Sequence, residues 1–278
     1  MSTFAVIAHA AGPTNTRLGL VITPSQALVR LRRGDVALGR FDVLSSLDGV
    51  ERGLWSLDVL ERRGVTVLNR RRTLALAHDK LATAEALARA GLPHPRTTQV
   101  APWLPIPKLA YPVVLKPRFG SWGRDVVCCR TRAELDAALA RARRRVWFNA
   151  TGGVVQELVA PAGYDLRVVV AGGEVVGAVH RCAAPGEWRT NVALGGRRVA
   201  ASPAANTRLL ALGAAAALGG DLVGVDLLPL PGGGWIVIEV NGAVEFSDEY
   251  SLERDVFEAA RLALGAASAP GAASSASA

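Results

Sequence analysis

Apolar residues along this chain recur in two periods, and the changes between them mark where its elements begin and end. Residues 4 to 10, apolar except for His9, predict a buried strand, followed by a Gly/Pro/Asn loop. A helix is expected around Ser25-Gln-Ala-Leu-Val-Arg-Leu31, and strands at Phe41–Leu44 and Val65–Asn69 with an amphipathic helix over Leu54–Arg62 between them. Strand and helix in alternation predict a small α/β domain with a largely parallel sheet over residues 1–77. Its first loop lacks Gly-x-Gly-x-x-Gly, which removes most of the support for a dinucleotide-binding domain.

A helical pattern then runs from about Arg72 to Ala90, carrying His78, Asp79 and Lys80, and is stopped by Gly91 and Pro93. The strand Val113–Pro117, a loop over 118–125, the strand Val126–Cys129 and a helix from Glu134 to Arg145 complete a central α+β lobe over 78–153. Val154–Leu158 opens a third region, 154–265, with strands at 166–170 and 175–180 and a helix from Asn206 to Leu218. Two β-rich segments, Leu222–Leu228 and Ile236–Asn241, flank the turn signal Pro229-Leu-Pro-Gly-Gly-Gly234 and read as an antiparallel pair. A last helix is expected near Arg254–Leu264, and the Ala/Ser/Gly/Pro tail from Gly265 onward, 266–278, reads as disordered. No internal repeat is visible.

Composition narrows the setting more than the chemistry. Half of the 278 residues are apolar, yet no window reaches the roughly 18 uninterrupted apolar residues of a membrane span. The first residues lack the basic flank of a signal peptide, so the expectation is a cytoplasmic protein with no membrane partner. Cys128, Cys129 and Cys182 are odd in number and lack a Cys-x-x-Cys pair, which implies neither a disulfide framework nor zinc. The net charge of +8 is almost wholly arginine, because the only lysines are Lys80, Lys108 and Lys116. Clusters at Arg30–Arg33, Arg70–Arg72 and Arg143–Arg145 suit a polyanion or an acidic partner, or equally a solvated helix face. No RNA-binding aromatic motif or zinc finger accompanies them, which disfavours nucleic acid.

The candidate chemistry lies in the hairpin. Glu239 and Asn241 are two residues apart, so the period of a strand points both side chains to one face, and Asp226 sits in a similar apolar setting on the preceding strand. Acids near strand ends often just meet a solvated turn, but an acid among Ile and Val needs a cation or donors. A few hard oxygen ligands suit Mg²⁺, which takes its remaining ligands from water and phosphate. Lys116, inside Val-Val-Leu-Lys-Pro, must snorkel or meet an anion. Gly120-Ser-Trp-Gly123 could close backbone N–H groups over phosphates, although alone it is equally a hairpin turn.

The order of these features resembles the ATP-grasp superfamily. The branch is that of the ribosomal-protein glutamate ligase and the amino-group carrier protein ligases of lysine and arginine biosynthesis. The resemblance spans about His78 to Ser251 and rests on Asp79-Lys80, Val114–Pro117, Gly120-Ser-Trp-Gly-Arg124, Gln156-Glu-Leu-Val159, Asp165-Leu-Arg167, Trp188-Arg-Thr-Asn191 with Gly195-Gly196, Gly224-Val-Asp226 and Glu239-Val-Asn241. It implies an ATP-grasp fold in which two α+β lobes clasp ATP behind a small N-terminal α/β domain. It further implies ATP phosphate contacts from Lys80 and Lys116 under a loop of Gly120, Ser121, Trp122 and Gly123. Gln156, Glu157 and Val159 would line the adenine largely through backbone, with Asp165 also on the nucleotide side. Asp226, Glu239 and Asn241 match the magnesium ligands, with Mn²⁺ as a substitute. Arg167 and Arg189 match the arginines that hold the transferred phosphoryl group or the acid substrate, and Arg181 joins that wall. Asn191 and Glu245 are candidate substrate contacts, Glu245 together with Ser247 and Tyr250 toward the amine, with a solvated loop as the competing account. Leu194 stands where relatives carry a basic residue, and the usual lysine after Phe246 is missing. His78 and His180 are as readily structural, and His9 has no assigned role.

The activity implied is an ATP-dependent carboxylate–amine ligase. A carboxylate is a poor electrophile; phosphorylation makes an acyl phosphate, and amine attack then expels phosphate. Catalysis of that kind is positioning and electrostatics, in keeping with the lack of a Ser-His-Asp or Cys-His arrangement. The expected partners are ATP, an amino acid, and an acid that is either a small molecule or the C-terminus of a small acidic carrier protein, with the enzyme a homo-oligomer as in its relatives. The alternative is a non-catalytic nucleotide- or polyanion-binding protein, against which the intact donor set and arginines argue.

Overall fold

The computed structural model of the chain describes residues 2–268. Its first domain contains β1 (Phe4–Ile7), α1 (Pro13–Leu18), β2 (Leu20–Ile22), α2 (Pro24–Arg30), β3 (Val36–Gly39), α3 (Trp55–Arg62) and β4 (Thr66–Leu68). The strands form a wholly parallel sheet in the order β2-β1-β3-β4. Thr23 and Gln26 cap α2 reciprocally, with Pro24 in its first turn. Two sequence expectations fail here. The strand is Val36–Gly39 rather than Phe41–Leu44, and it ends at Gly39, where a Cβ would lie 2.7 Å from the Asn69 carbonyl oxygen. Val43 makes only an isolated bridge to Val50. The expected Gly/Pro/Asn loop holds α1, whose polar sequence has no helical period to read.

The helix expected over 72–90 is two, α4 (Arg71–His78) and α5 (Lys80–Arg89). Asp79 breaks them with an extended backbone (φ −96°, ψ 104°) and caps α5 by accepting from the backbone N–H groups of Leu81 and Ala82. Beyond them lie β5 (Thr97–Val100), β6 (Val113–Pro117), β7 (Val127–Cys129), α6 (Arg132–Ala142), α7 (Val146–Ala150) and β8 (Gly153–Glu157). The central sheet runs β5-β8-β6-β7, all antiparallel. β8 therefore belongs to the central sheet, and the change of sheet falls after Glu157 rather than at Val154. The helix expected to reach Arg145 stops at Ala142, and buried Trp147 and Phe148 anchor a separate short turn.

The third region has β9 (Tyr164–Ala171), β10 (Glu174–Cys182), β11 (Arg197–Ala200), α8 (Ala205–Leu218), β12 (Leu222–Pro229), β13 (Trp235–Asn241) and α9 (Val256–Ala267). Its antiparallel sheet runs β11-β10-β9-β12-β13. α8 and α5 cover one face around Leu166, Val168 and Val225, while Val169 and Val179 on the other join α9 and the N-terminal domain in one core. α9 extends through Ala267, so the first residues of the expected tail are helical; residues 269–278 lie outside the described residues.

Asn69 joins the first domain to the last lobe. Fully buried with φ +47°, it accepts from the N–H groups of Asp221 (2.9 Å) and Leu222 (3.0 Å) and donates to the carbonyls of Leu222 (2.7 Å) and Gly242 (3.2 Å). Asn69→Ala strands these backbone groups at about 1–3 kcal/mol each before relaxation. The expected loss, read from the denaturant midpoint, is about 3 kcal/mol of unfolding free energy.

Candidate active site

One cleft between the central and last sheets is lined by Lys80, Lys116, Gln156, Arg167, Arg181, Arg189, Asn191, Asp226, Glu239 and Asn241, and by the Gly120–Gly123 loop. Its floor is the third sheet. Asp226 on β12 pairs directly with Glu239 on β13 and with Arg167 on β9, while Gly224 pairs with Asn241. A bulge at Ile238 lies just before this stretch, so Glu239 to Asn241 keep strand alternation and all four side chains share one face.

The geometry gives Asp226 a part that its sequence does not show. Arg167 donates to it through Nε (2.6 Å) and Nη2 (2.7 Å), Arg181 through Nη2 (2.9 Å), and the Asn241 amide reaches it at 3.4 Å. Burial alone would raise its pKa, but the two guanidinium groups outweigh burial and hold it at about 2. Asp165 takes the rest of Arg181 through Nε (2.8 Å) and Nη2, and accepts from Thr190 Oγ1 (2.5 Å). Burial disfavours the charge on Arg181, yet Asp226 and Asp165 raise its pKa above the ordinary value. Arg167 and Arg181 are thus held by carboxylates and not free on the wall, and Asp165, expected on the nucleotide side, anchors Arg181. Arg167 keeps Nη1, which bonds no other described residue.

Two lysines stand opposite. Lys80 donates to the Gly120 carbonyl (2.6 Å) and to Glu239 Oε1 (3.1 Å), and Lys116 donates to Gln156 Oε1 (2.6 Å). Burial pulls the Lys116 ammonium down to about 8; Glu239 and Asp226 oppose that pull and Lys80 adds to it. The Gln156 side chain is thus engaged with Lys116. Its Nε2 donates to Thr97 Oγ1 (2.9 Å) and meets His94 Nε2 (3.2 Å), while His94 Nδ1 contacts the Val237 carbonyl (2.8 Å). A carbonyl only accepts, so Nδ1 carries the proton and Nε2 receives the amide; burial keeps the ring neutral, with a pKa of about 4. His94 was not a candidate from sequence, since nothing in Leu92-Pro-His-Pro95 signals a buried partner. Glu157 and Val159 line the same end.

Loops from both lobes form the roof. Arg189 donates to the Gly123 carbonyl (3.0 Å) and is braced by Glu187, whose pKa the Arg189 hydrogen bond lowers to about 2. A Cβ on Gly123, at φ +69°, would lie 2.7 Å from Asn191 Oδ1, so the loops touch where only glycine fits. Trp122 lines the cleft beneath the Arg124 guanidinium, 4.8 Å from its ring centre. Asp79, which starts α5 and so places Lys80, is gripped by Arg118 at 2.8 and 2.6 Å.

Other candidates fall elsewhere. Glu245 is not in the cleft lining; it meets Thr14 and Arg40 of the first domain. Ser247 bonds Glu249, and Tyr250 is buried in the core. His180 faces the opposite side of the sheet, with Tyr164 and Trp235. His78 bonds the Phe41 carbonyl (2.7 Å) and is structural, and exposed His9 bonds the Arg52 carbonyl (2.6 Å). Arg70, Arg71 and Arg145 pair with Glu61, Asp58 and Asp125.

The donor set fits Mg²⁺. No group of three or more His, Cys, Asp or Glu residues that could hold a metal occurs among the described residues, but two carboxylates and a carboxamide meet here. Asp226 Oδ1 receives one hydrogen and keeps a lone pair, and among the described residues Glu239 is engaged only by Lys80. Such a set needs phosphate oxygens to complete an octahedron.

Residues 77–256 match the family described as RimK-like ATP-grasp domain. The chain is 32% identical over 217 residues to the glutamate–LysW ligase ArgX of Sulfurisphaera tokodaii, covering 76% of each protein. It is 32% identical over 203 residues to the α-aminoadipate–LysW ligase LysX of Saccharolobus solfataricus, covering 71% of this chain and 73% of the relative. A RimK-domain ATP-grasp protein from Sphaerobacter thermophilus superposes with a TM-score of 0.65 at 22% identity, over 94% of this chain and 98% of that one. Among the described residues no helix is long and apolar enough to cross a membrane.

A bound triphosphate will raise the depressed pKa of Lys116. ATP binding near pH 8 to 9 is therefore expected to draw in protons, and affinity to fall as pH rises through about 8. Calorimetry in buffers of different ionisation enthalpy measures the uptake, which should vanish in Lys116→Met.

Proposed function

The chain belongs to the RimK-like ATP-grasp family and is an ATP-dependent carboxylate–amine ligase, and from that premise we propose that it adds an amino acid to the acidic C-terminus of a small carrier protein. The observation that carries this reading is the convergence of two lysines, three arginines and the Asp226, Glu239 and Asn241 donors on one cleft roofed by loops from both lobes. The names of the two LysW ligases supply the acceptor class, and the arginine-rich surface suits an acidic one. A small free acid in the same pocket is the other form of this reading.

In the proposed reaction, Lys80 and Lys116 turn from Glu239 and Gln156 to the ATP phosphates, and Gln156 and Glu157 border the adenine end. Asp226, Glu239 and Asn241 would hold Mg²⁺, which when bound neutralises phosphate charge. Arg189 and the free Nη1 of Arg167 draw the substrate carboxylate beside the γ-phosphate, two anions that repel unless cations are fixed between them. A carboxylate oxygen bonds to the γ-phosphorus as the bond to the β–γ bridging oxygen breaks, giving ADP and an acyl phosphate. The amine then bonds to the acyl carbon, losing a proton, and phosphate departs. The Gly123–Arg189 contact joins the loops of the two lobes above the site where the acyl phosphate would form.

Purified enzyme with ATP, Mg²⁺, acidic acceptors and amino acids is expected to release phosphate only when both substrates are present. Glu239→Gln should lower that rate by about a hundredfold with an unchanged circular dichroism spectrum. Silence across the panels with intact ATP binding refutes the proposed substrates. For a carrier-protein acceptor, kcat/KM should also fall steeply as salt rises from about 0.1 to about 1 M, where the Debye length shrinks from about 10 to about 3 Å. A rate indifferent to salt favours the small acid.

A further inference from the structure

Beside the cleft, β7 is an edge strand with a groove along it. In the order β5-β8-β6-β7 its one strand partner is β6, so a row of its backbone N–H and C=O groups is unpaired within the sheet. Edges that merely face solvent are commonly guarded by lysine, proline or an inward-pointing charge, and Val127-Cys128-Cys129 carries none of these. Val126, Val127 and Cys128 all line the groove, although successive side chains of a strand point to opposite faces. A surface that meets three residues in succession takes in the edge of the strand itself.

The groove is cationic and leads into the cleft. Arg130 and Arg189 line it and no carboxylate does. Arg130 is exposed, and its guanidinium bonds no other described residue. Val126, Leu158, Pro161, Trp188 and Arg189 line groove and cleft alike, so the two are continuous. Lys80, Lys116 and Gln156, which serve the nucleotide in the proposed reaction, line the cleft alone. A chain lying in the groove can thus bring its end to Arg189 beside the nucleotide rather than in its place.

We propose that the groove takes the acidic C-terminal tail of the acceptor protein as an added strand on β7, with an acidic side chain of the tail on Arg130 and its terminal carboxylate at Arg189. The inference rests on the carrier-protein reading above and names the path by which that acceptor enters. Strand addition draws affinity from main-chain hydrogen bonds, and the two arginines select for negative charge. A carboxylate matches the fork of a guanidinium bidentately. At about 3.3 Å per residue the wall from Val126 to Arg130 is about 13 Å long, which matches about four residues of an extended tail and exceeds the span of a small free acid.

The test is binding of fluorescein-labelled hexaglutamate with a free C-terminus, read by fluorescence anisotropy on enzyme saturated with a non-hydrolysable ATP analogue and Mg²⁺. It should bind the wild type, and about fivefold more weakly in Arg130→Gln, the loss of one exposed ion pair, while affinity for the ATP analogue stays within about twofold. Arg130 is exposed, so the substitution spares the core. Two further probes carry N-methyl groups on one or the other alternate set of amides. An added strand pairs through one edge, so one set should weaken binding by about tenfold or more and the other far less. Absence of hexaglutamate binding, equal binding in Arg130→Gln, or two methylated peptides that behave alike overturns the proposal, the last result leaving charge attraction alone. Phosphate release with both substrates judges the ligase reading separately. A carrier protein ligated with the same kcat/KM by wild type and Arg130→Gln would sink the groove and leave the carrier-protein reading standing.

Discussion

Asp226 is a carboxylate on β12, the fourth strand of the five-stranded sheet, 3% exposed, and shared by Arg167 and Arg181. A lone charge at that depth would be held out of water at a cost of several kcal/mol, and so would either arginine. Together with Asp165 they form an alternating row of charge across β12, β9 and β10 in which each member is tolerable only because of its neighbours. Removing one strands the others, so the row fixes guanidinium positions more firmly than surface pairs could. The row also reaches upward: Asp165 holds Thr190, and Thr190 belongs to the loop that carries Arg189 and Asn191. The orientation of the roof is thereby set from the floor of the cleft.

The other wall is tuned by a neutral chain. The Val237 carbonyl fixes the His94 tautomer, His94 receives the Gln156 amide, and Gln156 then presents its oxygen to Lys116. Val237 is on β13 and Lys116 on β6, so the relay spans the two sheets that clasp the nucleotide. The amide leaves the Lys116 ammonium without a charged partner in direct contact, so its pKa is lowered by burial that Glu239 and Asp226 only partly offset.

Much of this was legible in sequence, for definite reasons. Strand alternation places Glu239 and Asn241 on one face whatever the tertiary context, and the bulge at Ile238 falls just outside that pair. The antiparallel hairpin and the parallel first sheet follow from turn chemistry and from the strand–helix rhythm. What escaped depends on contacts between distant segments. Phe41–Leu44 reads as a strand, but the sheet takes Val36–Gly39, where the Asn69 carbonyl leaves no room for a Cβ at Gly39; β8 reads as a new region but completes the central sheet. The helix interrupted at Asp79 has an unbroken pattern, and only the grip of Arg118 shows why it must stop there. The pairing of Arg167 and Arg181 with acids, the role of His94 and the departure of Glu245 toward Arg40 are likewise facts of register and domain packing.

The division of labour between arginine and lysine follows from the same physics. Only three lysines occur in the chain, and two of them line the cleft. Arginine, planar and permanently charged, suits positions where a fork must stay locked between carboxylates, as at 167 and 181. Lysine is a compact charge on a flexible stem with rotatable donors, suited to a site that must let go of one acceptor and take another. Lys80 and Lys116 each rest on an acceptor that the protein itself supplies, Glu239 or Gln156, and in the proposed reaction each turns from it to a phosphate. A chain otherwise so rich in arginine thus places two of its three lysines where the proposed reaction needs the charge to move rather than stay fixed.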